Sequence, residues 1–146
     1  MKVSIGCDRA GFIAKESVKK HLMEKGYEII DCGVYVEEIC DYPIYAFKTA
    51  ELVGDGTAEK GIVICSSGEG VCICANKVKN IRCGIGYNDE VTRLIVEHNH
   101  ANMIAFGAKY STINEIINRV DIFLNSIELG KWHQDRINMI IDFENK

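Results

Sequence analysis

Apolar positions along this chain follow two periods in turn, one typical of strands and one typical of helices. Short runs rich in Val, Ile and Cys, such as residues 62–65, suit parallel strands that are covered on both faces. Longer stretches with an apolar stripe opposite charged residues, such as 12–25, predict amphipathic helices. Gly26 follows that stretch, as a glycine at a helix end should. The predicted strands are Lys2–Cys7, 27–31, 62–65, 82–87 and 103–106.

The predicted helices fill the intervals between these strands. A repeated strand–helix order argues for an α/β fold with a parallel sheet and helices on both faces. Ligands in such sheets bind at the carboxyl ends of the strands. Without a repeat or a linker, the 146 residues are expected to form one domain, 1–146. The predicted helices are 12–25, 44–53, about 70–78, 88 to about 98, 112–126 and a last one within 129–146, and 32–42 is an irregular connection.

Composition narrows the classes of partner. A net charge of −4 and a pI near 5.6 argue against nucleic acid as the main partner. No apolar run approaches the roughly 20 residues that cross a bilayer, so we expect no membrane partner. The chain opens on a strand without a signal-peptide pattern, and its seven cysteines are scattered. We therefore expect reduced thiols and a cytoplasmic protein. Cys72 and Cys74 lack a matching Cys or His pair nearby, so no metal site is predicted.

The most informative stretch is 61–77, GIVICSSGEGVCICANK. A buried strand runs into Cys65, and a turn of small residues with two glycines, Gly68 and Gly70, follows. If a helix opens there, its free N–H groups form a seat for a phosphate or an enolate oxygen. The same field favours the thiolate of a cysteine that faces the turn. The alternative is an ordinary strand–turn–helix unit with a buried, inert cysteine. The stretch is neither a P-loop nor a dinucleotide fingerprint.

Three other polar groups each allow two interpretations. Asp8 and Arg9 follow the first strand, where Asp8 could cap a helix or both could bind a ligand. His98 could stabilise the end of a helix dipole or act as a general acid or base. The cationic stretch 131–136, KWHQDR, could be a solvated face with Trp132 packed beneath it. It could equally clamp a phosphate, with Arg136 as the bidentate donor.

Taken together, the chain resembles the ribose-5-phosphate isomerase B / galactose-6-phosphate isomerase family of sugar-phosphate isomerases. The resemblance covers nearly the whole chain in order. The segments that carry it are IGCDRAGF at 5–12, EKGYEIIDCG at 24–33, DYPIYA at 41–46, GIVICSSGEG at 61–70, ANKVKNIR at 75–82, EHNHANMIAFGAK at 97–109 and HQDRI at 133–137.

The resemblance implies a Rossmann-like three-layer α/β/α sandwich around a five-stranded parallel sheet. It also implies a homodimer or a pair of dimers, with active sites shared across the interface and no metal or other cofactor. The expected reaction interconverts ribose 5-phosphate and ribulose 5-phosphate, an aldose and a ketose, by moving a proton between C1 and C2 through a cis-enediolate.

Roles follow from the matching positions. Cys65 is expected to shuttle the proton. Ser67 stands where the family usually has Thr, and it is expected to aid ring opening or hold a hydroxyl. His98, acting in the partner's site, matches the histidine linked to ring opening. The predicted substrate-binding residues are Asp8, Arg9, Tyr42, Ser66, Gly68, Glu69, Gly70, Asn99, Lys109, His133 and Arg136.

Several positions depart from the family pattern. Arg9 replaces a usual His, Lys109 a usual Arg, and Trp132 a phosphate-region Arg, while His100 stands where Asp is usual. Ser66 stands where the family usually has Gly, and Glu69 stands where a small or apolar residue is common. These changes leave the proton-transfer groups intact and alter the phosphate end. Two alternatives therefore stay open. One is an isomerase of a six-carbon sugar phosphate, such as allose or galactose 6-phosphate, or of an unphosphorylated rare sugar. The other is a non-catalytic sugar-phosphate-binding subunit.

Overall fold

A five-stranded parallel sheet forms the centre of the molecule. The computed structural model describes residues 1–146 and orders the strands β2-β1-β3-β5-β4, all parallel. The predicted Rossmann-like α/β/α fold is confirmed. The strands are β1 Lys2–Cys7, β2 Glu28–Asp31, β3 Lys60–Cys65, β4 Cys83–Ile85 and β5 Met103–Gly107. The helices are α1 Phe12–Glu24, α2 Tyr42–Gly54, α3 Glu69–Asn76, α4 Asp89–Glu97, α5 Ile113–Asn125 and α6 Trp132–Glu144, and a short 3₁₀ turn covers Arg9–Gly11.

The core lies in two layers, one on each face of the sheet. Successive side chains of a strand point to opposite faces, so Ile62 and Ile64 of β3 lie in one layer and Val63 and Cys65 in the other. Helices α1, α4 and α5 cover the first layer, and α2 and α3 cover the second. Cys65 therefore sits under α2 and α3, next to the helix that follows it in sequence.

The carboxyl edge of the sheet is closely packed. Cys7 at the end of β1 pairs with Ile64, and Cys65 at the end of β3 pairs with Gly107 at the end of β5. A Cβ on Gly107 would lie 2.5 Å from the carbonyl oxygen of Ser67, so only glycine lets the turn after β3 rest on β5. The backbone that follows β1, β3 and β5 is thereby gathered along one edge.

Segment 98–102 lies at the opposite, amino edge. Lys60, the first residue of β3, donates from Nζ to the carbonyl of Ala101 at 3.0 Å, and the amide of Asn102 donates to the carbonyl of Arg82 at 3.1 Å. Helix α6 follows the same edge, since Glu144 near its end accepts a hydrogen bond from the amide of Asn80. Four residue steps along β5 separate the two edges by about 13 Å.

A buried ion pair fixes the connection after β2. The Lys15 side chain is fully buried, and its Nζ donates to Asp31 at 2.7 Å and to the carbonyl of Val34 at 2.8 Å. Burial alone would raise the pKa of Asp31, but hydrogen bonds from Lys15 and Lys19 outweigh it and hold that pKa below its usual range. The ion pair thereby ties the end of β2 to α1 at the carboxyl edge.

Several element boundaries differ from the predictions by one or two residues. Helix α2 begins at Tyr42 rather than at residue 44, because Pro43 in the first helical turn needs no N–H partner. Strand β4 has three residues instead of six, and the side chain of Asn76 bonds both the amide and the carbonyl of Cys83 on its outer edge. Helix α3 ends at Asn76 rather than near residue 78. None of the helices is long and apolar enough to span a membrane.

Candidate active site

The turn after β3 is built around the sulfur of Cys65. That side chain is 4% exposed, and its Sγ accepts a hydrogen bond from the amide of Gly68 at 3.1 Å. The turn is pinned to the strand beside it, because the amides of Ala108 and Lys109 donate to the carbonyls of Cys65 and Ser66. A buried thiol thus faces a main-chain donor in a rigid turn.

Two glycines give this turn its shape. Gly68 has a φ of +82°, and a Cβ there would lie 2.9 Å from the carbonyl carbon of Phe106, so a side chain would be both strained and obstructed. Gly68 precedes α3, in whose first turn the amides of Gly70 and Val71 have no acceptor within the chain and can bind an anion. A Cβ on Gly70 would come within 2.7 Å of the Tyr42 ring. Tyr42 therefore packs directly on the turn backbone.

The serines and Glu69 of the turn face outward. Ser66, Ser67 and Glu69 are exposed, and the Ser67 hydroxyl accepts a hydrogen bond from the amide of Glu69 at 3.2 Å. Ser67 and Glu69 line a cleft of about 650 Å³, together with Ile85, Tyr87, Val91, Ile95 and Tyr110. Its volume lies in the range that holds small metabolites.

Asp8 and Arg9 lie on the same edge as Cys65. The amide of Asp8 donates to the carbonyl of Ile64, the residue before Cys65, at 3.2 Å. The Asp8 carboxylate caps the 3₁₀ turn by accepting from the amide of Gly11 at 3.2 Å, so the capping interpretation holds. Its other oxygen has no hydrogen-bond partner within the chain. Arg9 is exposed, and nothing in the structure pairs its guanidinium.

Cys7 also ends a strand at this edge, but its surroundings differ. It is 1% exposed, and burial raises the pKa of its thiol to about 12, although the charge of Lys15 opposes that rise. The amide of Cys7 donates to the carbonyl of Gly33, and its carbonyl accepts from the amide of Val34, so these two residues cover it. Cys7 is therefore a thiol at neutral pH with no open path to a ligand.

The remaining predicted residues lie at the amino edge. His98 follows α4, and its ring stacks on the ring of His133 in α6, with centroids 4.3 Å apart and planes 9° from parallel. Trp132 lies against His133 at 5.4 Å with a 44° tilt. Asn99 and Arg136 are exposed beside them. These side chains form a second polar group, which we call the α4–α6 corner: His98, Asn99, Trp132, His133 and Arg136.

His100 holds this corner together, a role that sequence reasoning missed. It is 3% exposed, and its Nε2 donates to the carbonyl of Leu129 at 2.7 Å. The amide of Leu129 in turn donates to the carbonyl of Glu97 at 3.0 Å. The segment that leads into α6 is thus tied to the end of α4. The only sequence signal was a histidine where the family usually has an aspartate.

The predicted site residues therefore fall into two groups. Asp8, Arg9, Tyr42, the turn 65–70 and Lys109 come together at the carboxyl edge. His98, Asn99, His133 and Arg136 come together at the α4–α6 corner. The length of the strands keeps the two groups apart within one chain. Nowhere do three or more His, Cys, Asp or Glu side chains cluster as metal ligands would.

At the carboxyl edge, the fold and the turn are of the kind that α/β proteins use to bind small anionic ligands at the ends of parallel strands. Comparison with known proteins narrows this class. Residues 3–140 match the family described as Ribose/Galactose Isomerase. The chain is 37% identical to ribose-5-phosphate isomerase B of Escherichia coli K12, over 99% of this chain and 97% of that protein.

Solved structures agree with this match. Ribose-5-phosphate isomerase B of Clostridium thermocellum superposes with a TM-score of 0.97 at 37% identity, over 99% of this chain and 98% of that one. The Mycoplasma genitalium enzyme of the same name, with bound ribulose-5-phosphate, superposes with a TM-score of 0.96 at 33% identity, over 99% and 97%. The chain belongs to the ribose/galactose isomerase family and is an aldose–ketose isomerase.

Proposed function

We propose that this chain interconverts ribose 5-phosphate and ribulose 5-phosphate, with Cys65 as the group that moves the proton. The observation that carries the proposal is the turn after β3, where the Cys65 sulfur and the unpaired amides of Gly70 and Val71 in α3 lie at one edge. Relatives that match nearly the whole chain are named ribose-5-phosphate isomerase B, and one of them holds ribulose-5-phosphate.

The chemistry requires only proton transfers. The Cys65 thiolate removes the proton from C2 of the open-chain aldose, and the electron pair moves to form a C1–C2 double bond with the charge on O1. The amides of the turn stabilise that enediolate oxygen. The proton on O2 passes to O1, and Cys65 returns its proton to C1, which leaves a carbonyl at C2. This route needs neither a metal nor a nucleotide.

The active site is completed by a second copy of the chain. The strands hold the α4–α6 corner too far from Cys65 for both to reach a five-carbon substrate in one chain. In a symmetric dimer, the corner of one copy can face the carboxyl edge of the other, and two equal sites result. Apolar side chains that a partner would cover are exposed on α2, α3 and α6: Ile44, Phe47, Ile73, Met139, Ile140 and Phe143.

Each group then has a distinct task. His98 assists opening of the sugar ring, aided by Ser67 from the copy that supplies Cys65. Asp8, Tyr42 and Asn99 hold the sugar hydroxyls. Arg136 of one copy binds the phosphate together with Lys109 and Arg9 of the other. The seven free cysteines fit a reducing compartment, and we propose the cytoplasm.

Trp132 favours a second candidate, a six-carbon sugar phosphate or an unphosphorylated rare sugar. It stands at the position of a family phosphate arginine, and its ring is 57% exposed beside His133. An aromatic ring cannot neutralise a phosphate, but it can stack on the apolar face of a sugar. The same site residues would then act on a longer or uncharged substrate.

An isomerase assay across pentose phosphates, hexose phosphates and free sugars tests the proposal. We expect the highest kcat/KM with ribose 5-phosphate. Cys65→Ala should abolish most turnover, whereas Cys74→Ala, which removes another buried thiol from the same core layer, should not. A higher kcat/KM on a hexose phosphate or free sugar would support the second candidate. Binding of sugar phosphates without turnover would identify a non-catalytic subunit and contradict the proposal.

A further inference from the structure

His98 carries a predicted catalytic role, yet no hydrogen bond holds its ring. Both ring nitrogens are free of protein partners, although the residue is half-buried. The χ2 torsion of a histidine has a broad energy profile, so an unbonded imidazole would sample many orientations. Something other than a hydrogen bond must define the plane of this ring.

The ring of His133 does so. The two imidazoles lie 4.3 Å apart and within 9° of parallel, although 35 positions separate them in the sequence. Stacking fixes the plane of the His98 ring and leaves both nitrogens available to a substrate. A hydrogen-bonded partner would have occupied one of them.

The stack rests on a fixed base. His100 and the amide of Leu129 tie the start of α6 to the end of α4. Ile137, one turn further along α6, is buried at 2% exposure and anchors the helix beneath the stack. His133 therefore contacts His98 from a helix that is held in place both at its start and at Ile137.

The surroundings of His133 lower its pKa and so disfavour its charged form. Burial lowers its pKa, and positive charge on His98, Arg136 and His100 lowers it further, while the carboxylate of Glu97 opposes them. The lowered pKa of His133 makes a second positive charge against the His98 ring less favourable.

We infer that His133 is a positioning residue, which holds the His98 imidazole by ring stacking in the orientation used on the substrate. This inference rests on the proposed function, because it assigns His133 to the action of His98 rather than to the phosphate. It differs from the sequence expectation, which placed His133 among the substrate-binding residues.

NMR of protein with labelled histidine rings tests whether His133 stacks on His98. The chain contains only four histidines, so the ring signals are few. The stacked His133 ring should displace the His98 ring-proton shifts. His133→Ala should remove that displacement, and His133→Phe should keep a ring-current effect. His21, which bonds Asp121 outside the corner, is the internal control, and its ring-proton shifts should not change. Unchanged His98 shifts in His133→Ala would overturn the inference, whether or not the protein is active.

The functional part is tested by kinetics with ribose 5-phosphate. His133→Ala should lower kcat by about ten- to a hundredfold, the scale of a misplaced catalytic group, with KM nearly unchanged. His133→Phe should recover most of that loss, and Gln134→Ala, on the exposed side of α6, should behave as the parent enzyme. In a His98→Ala background, His133→Ala should have no further effect on kcat.

Two kinetic results would overturn the inference. One is a rise in KM with unchanged kcat in His133→Ala, which would assign His133 to phosphate binding. The other is a full additional loss in the His98→Ala background. Failure of the proposed function looks different, because the parent enzyme itself would then not turn over ribose 5-phosphate while the NMR displacement remained.

Discussion

The carboxyl edge around Cys65 and the α4–α6 corner are held by different means. At the edge, main-chain hydrogen bonds fix the turn, and glycines permit the close backbone packing that a side chain would block. At the corner, the groups are side chains on α4 and α6, fixed by a ring stack and a buried histidine. The two regions therefore have different tasks. The edge supplies a rigid anion-binding turn made of main chain, whereas the corner supplies side chains that single substitutions can change one at a time.

The departures from the family pattern fit this division. The core of the turn keeps its cysteine and both glycines, whereas Trp132 and His100 have changed at the corner. Ser66 and Ser67 can replace the usual residues of the turn because the groups that bind an anion there are main-chain amides. The outward-facing Arg9 and Lys109 can also change without disturbing the turn.

The largest expected effect comes from Cys65. Cys65→Ala removes the proposed base and should lower kcat by about 10² or more, the scale of general acid–base catalysis. Its matched control is Cys7→Ala at the neighbouring strand end, because burial raises the Cys7 pKa to about 12 and keeps it protonated. Circular dichroism should be unchanged in both. Undiminished exchange of the C2 proton with deuterated solvent in Cys65→Ala would refute the role.

Among the phosphate-binding residues, the largest effect is expected from Arg136, the exposed guanidinium of the corner. Losing a charge-assisted hydrogen bond to phosphate costs about 1.5–3 kcal/mol, or roughly ten- to a hundredfold in kcat/KM. Arg136→Ala should show this loss with ribose 5-phosphate and little loss with free ribose. Arg136→Lys should recover part of it, since lysine keeps the charge without the planar fork. An equal loss on both sugars would exclude a phosphate contact.

Arg9 should have a smaller effect of the same kind. Arg9 belongs to the carboxyl-edge group, whereas Arg136 belongs to the α4–α6 corner. The positive charge of Arg9 would replace that of the family arginine whose position Trp132 occupies. Arg9→Ala should lower the ratio of kcat/KM for ribose 5-phosphate to that for free ribose, with Arg9→Lys intermediate. If the ratio does not move, Arg9 is structural and Trp132 marks a weaker phosphate site, which favours the second candidate substrate.

The smallest effect on catalysis is expected from Asp31, which supports the carboxyl edge. Its folded-state pKa is below the ordinary 3.8, so the ionised carboxylate stabilises the fold above that pH and loses this contribution as the pH falls below it. Asp31→Asn should lower the free energy of unfolding at pH 7 and flatten its fall between pH 5 and pH 3. Urea unfolding at several pH values measures both. A parallel fall in parent and variant would show that Asp31 is not a source of the acid sensitivity.

Much of the carboxyl edge could be predicted because its determinants are local. An apolar run, a cysteine and a glycine turn within ten residues predict the strand, the seat and the start of the helix. Asn88 and Thr112 were expected at helix starts, and both cap them, with Thr112 and Glu115 forming a capping box. The five strands and their parallel arrangement followed from the same local patterns.

The corner could not be predicted in this way, since its contacts join distant parts of the chain. Nothing near His98 indicates that His133 stacks on it, and nothing near His100 indicates its bond to Leu129. Strand β4 was predicted too long, and the side-chain amide of Asn76 covers its outer edge, a contact that no period of apolar residues records. The separation of the two groups also depends on strand order, which the local patterns leave unspecified.

The central claim is that each active site takes Cys65 from one copy and His98 from another. Its most direct test mixes two variants that should each be inactive, Cys65→Ala and His98→Ala, after subunit exchange shown by mass spectrometry of labelled chains. Random pairing makes half of the dimers mixed, each with one intact site of two, so about a quarter of the parent activity should return. Full exchange without any recovered activity would contradict the shared site.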